Sequence, residues 1–141
     1  MAGDSVLVDT GPLVALLIPE DTHHVACSQA VRQIASPLLT SWPVITEAAW
    51  LLRRKHGGLS SLLQMLTDDT VRCLDLDSEA PQWMAELAEK YADLSPQLAD
   101  LSLLYLAVQQ GTRTILTLDR RDFAVYRDQS GTPFELLPAN L

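Results

Sequence analysis

Four acidic residues are predicted to lie at the ends of buried strands or among apolar residues of helices. They are Asp9, Glu47, Asp100 and Asp119. An ionised carboxylate that is buried alone costs several kcal/mol, so each of these groups must be protonated, hydrogen-bonded or bound to a cation. Carboxylates that lie close together also repel one another, and a divalent cation relieves that repulsion. The elements that carry these four residues therefore decide whether they form one site.

The first acid ends a predicted strand. Val6-Leu7-Val8 is an apolar run too short for a helix, and Thr10-Gly11-Pro12 supplies turn residues and a proline suited to a first helical turn. Ligands of open α/β sheets bind at the carboxyl ends of strands, which is where Asp9 is placed. The alternative is that Asp9 only caps the next helix or shapes the turn, since aspartate is favoured in both places.

Two further acids fall within apolar helices. Residues 42–56 predict a helix with a mostly apolar surface, in which Glu47 lies on or beside the buried face. Ser95-Pro96 suits an N-cap followed by a first-turn proline, and the predicted helix beyond it is almost wholly apolar around Asp100. A salt bridge or a capping hydrogen bond is the alternative explanation of Glu47. The second helix is apolar on every side, so Asp100 cannot lie on a broad polar face whichever way the helix is oriented.

The last acid ends a predicted strand, as the first does. Residues 113–119 predict that strand, after Gly111 has ended the preceding helix. Asp122 lies three residues beyond Asp119, so the two share one turn, and helix capping is an equally good explanation of one of them.

The remaining segments predict alternating strands and helices, which is typical of an open α/β sheet, and 141 residues suit one domain. The other predicted helices cover residues 13–18, 23–35, 59–66 and 81–91. The other predicted strands cover residues 37–41, 71–74 and 134–137, with the last at an edge.

With parallel strands, the four carboxylates converge on one cleft. Mg²⁺ and Mn²⁺ accept such oxygen ligands while keeping waters, which attack a phosphodiester while the ion neutralises the phosphate. Adjacent His23 and His24 point about 100° apart on a helix. Cys27 and Cys73 are far apart in sequence, so zinc is disfavoured and both cysteines are expected to be buried thiols. The predicted chemistry is metal-assisted hydrolysis.

The charge balance limits the class of partner. A net charge of −8 argues against a protein that holds nucleic acid by general electrostatic attraction. The densest basic run, Arg53-Arg54-Lys55-His56, is either a solvated helix end or a local phosphate contact. Residues 1–4 carry no basic leader and nothing approaches a membrane-spanning length, so a soluble cytoplasmic protein with no membrane partner is expected.

Four motifs, in this order, resemble the PIN-domain nucleases, and within that family the small single-domain VapC-like toxins. They are residues 8–16 around Asp9, Thr46-Glu47-Ala48, Ala99-Asp100-Leu101-Ser102-Leu103, and residues 116–123 around Asp119. Their order and spacing match from end to end. The resemblance implies one PIN-like domain over residues 1–141, with a parallel five-stranded sheet between helices in a three-layer α/β/α fold.

The same resemblance implies an Mg²⁺- or Mn²⁺-dependent endoribonuclease whose metal is held by Asp9, Glu47, Asp100 and Asp119. It implies that Thr10 or Ser41 bonds to metal-bound water or to the scissile phosphate, and that Asp122 is a peripheral helper. The candidate RNA contacts are Arg53, Arg54, Lys55, Arg120 and Arg121.

One position departs from the family pattern. Many relatives place a further acid one helical turn before the third, where this chain has Gln97. The change leaves the four central acids intact and weakens a second metal site. Such toxins commonly form homodimers and are neutralised by a cognate antitoxin whose tail lies over the cleft. The expected partners are therefore an RNA substrate, an antitoxin protein and a second copy of the chain.

Two phosphotransfer families also begin with an acid after the first strand. Haloacid-dehalogenase phosphatases need a second aspartate where this chain has Gly11, and receiver domains need a neighbouring acidic pair and a late lysine, so neither fits. The alternative that stays open is a catalytically weak or inactive PIN-like module that binds protein or RNA. Gln97 and the net charge of −8 favour that alternative.

Overall fold

The computed structural model describes residues 5–141, and its centre is a sheet of five strands. The strands are β1 (Val6–Val8), β2 (Leu38–Ser41), β3 (Val71–Leu74), β4 (Thr114–Leu116) and β5 (Glu135–Leu137). All neighbours pair in parallel in the order β3-β2-β1-β4-β5, with Leu7 opposite both Leu39 and Ile115. A central parallel strand is covered on both faces, which is why β1 is apolar throughout.

Seven helices cover this sheet in residues 5–141. They are α1 (Thr10–Leu17), α2 (His24–Arg32), α3 (Trp42–Leu51), α4 (Gly58–Thr67), α5 (Ala80–Lys90), α6 (Leu98–Gln110) and α7 (Arg120–Phe123). The chain moves outward from β1 to β3 and then returns to β4 and β5 on the other side of β1. Because parallel crossovers are right-handed, the reversal puts α1 to α4 on one face and α5 to α7 on the other. The three-layer α/β/α architecture is as predicted.

The core packs the sheet against buried residues of α1, α3, α4 and α6, and α6 is the most deeply buried of these helices. Leu7 and Ile115 are fully buried in adjacent strands, and Leu103 is fully buried in α6. A smaller cluster that includes Met84 and Tyr105 joins α5 to α6. The helix that carries Asp100 is thus held from two sides, so its position against the sheet is fixed.

Several predicted boundaries are wrong. The helix predicted over residues 42–56 ends at Leu51, because the chain turns there and Gly57, at φ 70°, leads into α4. The N-cap of α6 is Gln97, whereas Ser95, at φ 47°, ends a short 3₁₀ turn over Ala92–Leu94, which moves the helix start past Pro96.

The strand predicted to end at Asp119 ends three residues earlier. Thr117 donates its backbone N–H to Leu137 O at 3.0 Å, and the chain then leaves the sheet. Asp119 instead forms the N-cap of α7. Similarly, α1 begins at Thr10, directly after Asp9, and not at Leu13.

The remaining predictions about the chain concern its two cysteines, membrane-spanning segments and the first four residues. Cys27 and Cys73 are both free, the first buried and the second half-buried. No helix of the described residues combines the length and apolarity that crossing a membrane requires. The prediction that residues 1–4 are not a leader lies outside the described residues.

Candidate active site

A cleft of about 450 Å³ opens beyond the carboxyl ends of the central strands. Five of its lining side chains are acidic: Asp9, Glu47, Asp100, Asp119 and Asp122. They come from the ends of β1 and β4 and from α3, α6 and α7, so residues more than 110 positions apart in sequence meet at one edge of the sheet. The fold brings all four of the predicted carboxylates into this cleft, together with the predicted helper.

Asp9 is the most buried of these acids. Its side chain is 7% exposed, and its Oδ2 accepts a hydrogen bond of 2.9 Å from Thr117 Oγ1. It occupies the N-cap position of α1 but makes no side-chain capping hydrogen bond. Burial raises the pKa of Asp9, and the nearby charges of Glu47 and Asp119 raise it further, whereas hydrogen bonds from Thr10 and Thr117 lower it. A proton or a bound cation would offset the cost of burying this charge.

Three acids form a tight group opposite Asp9. Asp100, Asp119 and Asp122 each present a carboxylate oxygen that lies within 4.8 Å of the other two. Asp119 also accepts a hydrogen bond of 3.1 Å from the backbone of Asp122. Asp119 therefore caps α7 and lines the cleft at the same time.

The pKa of Asp100 is raised from its ordinary value to about 7. Burial is the largest cause, and the charge of Asp9 is the next; Asp119 and Asp122 add smaller contributions. A hydrogen bond from Tyr126 works in the opposite direction. Near neutral pH, this carboxyl group is thus balanced between holding a proton and offering its charge to a cation.

The acids of the cleft have no basic partner within residues 5–141. Salt bridges there join Arg72 to Asp69 and Arg113 to Asp128, both away from the cleft. Among the buried polar side-chain atoms of the same residues, Thr10 Oγ1 lacks a hydrogen-bond partner. Hard oxygen donors without His or Cys suit a cation such as Mg²⁺ or Mn²⁺, so the residues present fit the metal that the sequence predicts.

The two predicted hydroxyl groups occupy different environments. Thr10 lines the cleft beside Asp9. Ser41 is fully buried, pairs with Ser102 Oγ at 2.6 Å and caps α3 through the Val44 N–H. The Ser41 hydroxyl is thus fully engaged in hydrogen bonds, whereas Thr10 Oγ1, which is also buried, has no hydrogen-bond partner among the described residues.

Two of the predicted RNA contacts, Arg120 and Arg53, make hydrogen bonds within the chain. Arg120 is half-buried and donates hydrogen bonds to the backbone oxygens of Thr117 and Pro138, so it ties α7 to the end of the chain. Arg53 lies over the Trp50 ring at 3.7 Å from its centroid and donates to Trp50 O. Arg54 and Arg121 are exposed, and Lys55 is half-buried.

Two contributors to the site escaped the sequence analysis. Thr117 bonds to Asp9, and Tyr126 donates to Asp100 Oδ2 at 3.1 Å. The alternating Leu-Thr-Leu-Asp pattern places Thr117 and Asp119 on one side of an extended chain and is a usable signal for Thr117. Nothing in the local sequence marks Tyr126, because its contact with Asp100 depends on the packing of α7 against α6.

A second cleft, of about 550 Å³, lies between α5, the end of α6 and residues 127–134. Two of its charged groups are paired with each other, Arg113 and Asp128, and Arg127 donates to the backbone oxygens of Ala124, Val125 and Tyr126.

The parallel sheet and the carboxylate-lined cleft define an α/β domain with a centre suited to a divalent cation. The family model of the PIN domain matches residues 6–128. A curated relative, "Ribonuclease VapC26" of Mycobacterium tuberculosis (strain ATCC 25618 / H37Rv), is 30% identical over 135 residues, which cover 94% of this chain and 100% of the relative. The chain belongs to the PIN-domain family.

Two solved structures share the fold. The Mycobacterium tuberculosis toxin VapC20, described as sarcin-ricin loop cleaving, superposes with a TM-score of 0.76 at 18% identity, over 83% of this chain and 92% of that one. The Rickettsia felis VapBC2 structure, bound to a DNA fragment from its promoter, matches with a TM-score of 0.65 at 12% identity, over 93% of this chain and 96% of that one. At these sequence identities, the structural similarity shows a shared fold alone.

Proposed function

We propose that residues 1–141 form one PIN-like domain that acts as a divalent-metal-dependent endoribonuclease, the toxin of a VapBC-type pair. The observation that carries the proposal is the convergence of five acids in one cleft that has no basic partner within residues 5–141. The full-length similarity to a VapC ribonuclease at 30% identity supports the same activity.

In this proposal, Asp9, Glu47, Asp100 and Asp119 hold Mg²⁺ or Mn²⁺, and Asp122 helps from the periphery. When bound, such an ion supplies charge neutralisation for a phosphodiester and an activated water for its hydrolysis. The chain itself keeps the ligands in place: Thr117 fixes one oxygen of Asp9, and the start of α7 fixes Asp119. Thr10 offers its unpartnered hydroxyl to the phosphate or to a water.

The proposed partners are an RNA substrate, a cognate antitoxin and a second copy of the chain, in the cytoplasm and away from membranes. Helices α3 and α4 expose large apolar side chains, which we call the α3–α4 apolar surface: Trp42, Trp50, Leu51, Leu59 and Leu63. Because α3 packs against α4, we propose that these side chains form one patch, and such patches are typical of protein interfaces. The acidic cleft complements a basic antitoxin segment, and the relative from Rickettsia felis was solved as VapBC2.

The decisive experiment compares cleavage of total RNA with Mn²⁺ by the wild type and by Asp100→Asn, purified identically. Asp68→Asn is the matched control, because Asp68 is exposed and precedes β3 at the opposite edge of the sheet. We expect cleavage by the wild type and by the control, loss of cleavage on chelation, and no cleavage by Asp100→Asn. Equal cleavage by all three proteins would remove Asp100 from the mechanism.

A second candidate function is a PIN-like binding module with little catalytic activity. It is favoured by Gln97, an uncharged side chain that lines the cleft. Thermal unfolding with and without Mn²⁺ separates the two functions, since a ligand that binds only the folded state stabilises it by about 2.7 kcal/mol at a hundred times its Kd. Absence of any metal-induced shift, together with absence of cleavage, would favour the binding module.

A further inference from the structure

Tyr126 connects Asp100 to α7, the helix that carries Asp122 and is capped by Asp119. Its side chain is fully buried, and its hydroxyl donates a hydrogen bond of 3.1 Å to Asp100 Oδ2. Its backbone N–H donates to Asp122 O at 3.2 Å. One residue therefore bonds both to the acid on α6 and to the helix that carries the other two.

The ring of Tyr126 is held by two aromatic neighbours. Tyr91 meets it edge-on at 5.0 Å between centroids, and Phe123 does so at 5.2 Å. Such pairs add to the stabilisation from burial and leave the ring few alternative orientations. The phenolic oxygen is therefore aimed at Asp100 by the core, and not by flexible surface contacts.

A hydrogen bond to one oxygen of a carboxylate restricts the rotation of the group and therefore fixes the direction in which the other oxygen points. Tyr126 engages Asp100 Oδ2, and the same carboxylate offers an oxygen within 4.8 Å of those of Asp119 and Asp122. Partners that orient a metal ligand in this way are worth about 10-fold to 100-fold in metal affinity in other proteins.

We propose that Tyr126 is a positioning residue for the metal centre, which fixes the Asp100 carboxylate so that a single oxygen is presented to the cation. The inference rests on the proposed function, because it needs a metal in this cleft. The competing explanation is that Tyr126 only fills the core.

Tyr91 provides a matched control for that explanation. It lies in the same aromatic cluster and is 9% exposed, and its hydroxyl is bonded to the Arg127 backbone N–H at 3.1 Å. Tyr91→Phe and Tyr126→Phe thus each remove one hydroxyl while keeping the ring. Only Tyr126→Phe removes a hydrogen bond to an acid of the cleft.

The experiment titrates each purified protein with Mn²⁺ and follows free Mn²⁺ by electron paramagnetic resonance. We expect Tyr126→Phe to raise the Kd for Mn²⁺ about 10-fold, and Tyr91→Phe to leave it unchanged. Combining Tyr126→Phe with Asp100→Asn should weaken binding no further than Asp100→Asn alone, because the tyrosine acts through that carboxylate. If phenylalanine is not tolerated, Tyr126→Met offers a smaller, flexible apolar side chain that also lacks the hydroxyl.

Two other results would overturn the inference in different ways. Unchanged Mn²⁺ affinity in Tyr126→Phe, or an equal loss in both tyrosine variants, would reduce Tyr126 to a packing residue while leaving the metal centre intact. Absence of Mn²⁺ binding by the wild type would reject the proposed metal-dependent function itself, and the inference with it.

Discussion

Thr117 Oγ1 lies 2.9 Å from Asp9 Oδ2, although 108 residues separate the two in sequence. The same hydroxyl oxygen accepts a hydrogen bond of 3.0 Å from the Asp119 backbone N–H. One fully buried side chain thus orients the acid that follows β1 and the acid that follows β4. The spacing between these two carboxylates is built into the core of the fold.

Replacing Thr117 with valine should destabilise the protein and loosen the site. The variant keeps the shape of the side chain but leaves the Asp119 N–H and Asp9 Oδ2 without this partner. Unsatisfied buried groups cost about 1–3 kcal/mol each, so we expect the free energy of unfolding in urea to fall by at least about 1 kcal/mol. Thr117→Ser retains the hydroxyl and loses only the methyl, so it should lose less; a Thr117→Val protein as stable as the wild type would show that the two hydrogen bonds contribute little to stability.

The stability of the metal-free protein should fall as pH rises. Burial and the charge of Asp9 raise the pKa of Asp100 to about 7, so the folded state holds a proton that the unfolded state releases above its ordinary pKa. Since the folded state binds more protons, its stability decreases from about pH 5 to about pH 8. Asp9, whose pKa is also raised, contributes with the same sign.

Thermal unfolding in chelator at the two pH values tests this prediction. Asp69 and Asp128 have lowered pKa values and therefore finish titrating below this window, so they do not mask the effect. Asp100→Asn should flatten the pH dependence, and added Mn²⁺ should stabilise the wild type more at the higher pH, because its ligands must be deprotonated. If stability depends on pH just as steeply in Asp100→Asn as in the wild type, groups other than Asp100 cause the dependence.

Much of the fold follows from local patterns in the sequence. Short apolar runs bounded by turn residues locate all five strands, and β3 occupies the predicted residues 71–74. The four acids were identified because each lies beside apolar residues or at a strand end, where an unpaired charge is costly. Parallel strands then place those acids at one edge of the sheet.

The boundaries and the supporting contacts depend on distant residues, so the local sequence does not reveal them. The strand β4 ends where Thr117 bonds to Leu137, and the Ser41 hydroxyl is taken up by Ser102, 61 residues away. Arg120 is indistinguishable from Arg121 in sequence, yet only Arg120 is drawn inward by the oxygens of Thr117 and Pro138. Each of these features requires the completed tertiary structure.

The neighbouring arginines Arg120 and Arg121 should therefore respond differently to alanine substitution. Arg120→Ala removes hydrogen bonds to Thr117 and Pro138, and we expect it to lower the free energy of unfolding by about 1–3 kcal/mol. Arg121→Ala changes an exposed side chain, and it should leave stability unchanged while it weakens RNA binding and reduces the slope against log salt by about one unit.

Fluorescence anisotropy with labelled RNA, in the Asp100→Asn background without metal, measures binding without cleavage. Urea unfolding of the same proteins supplies the stability comparison. An Arg121→Ala protein that binds RNA like its parent at every salt concentration would place the RNA contact elsewhere, with Arg54 the next exposed candidate.

The α3–α4 apolar surface should mediate self-association. Leu59 is 53% exposed and lies on this surface, so Leu59→Glu places a charge there without disturbing the core. Burying that charge between two copies costs several kcal/mol, and we expect sedimentation velocity to show a dimer for the wild type and a monomer for the variant. Val25→Glu, at a 63% exposed position on α2, is the matched control and should remain dimeric. A wild type that stays monomeric at all concentrations would leave this surface to the antitoxin alone, whereas a dimeric Leu59→Glu variant would move the dimer interface to another face.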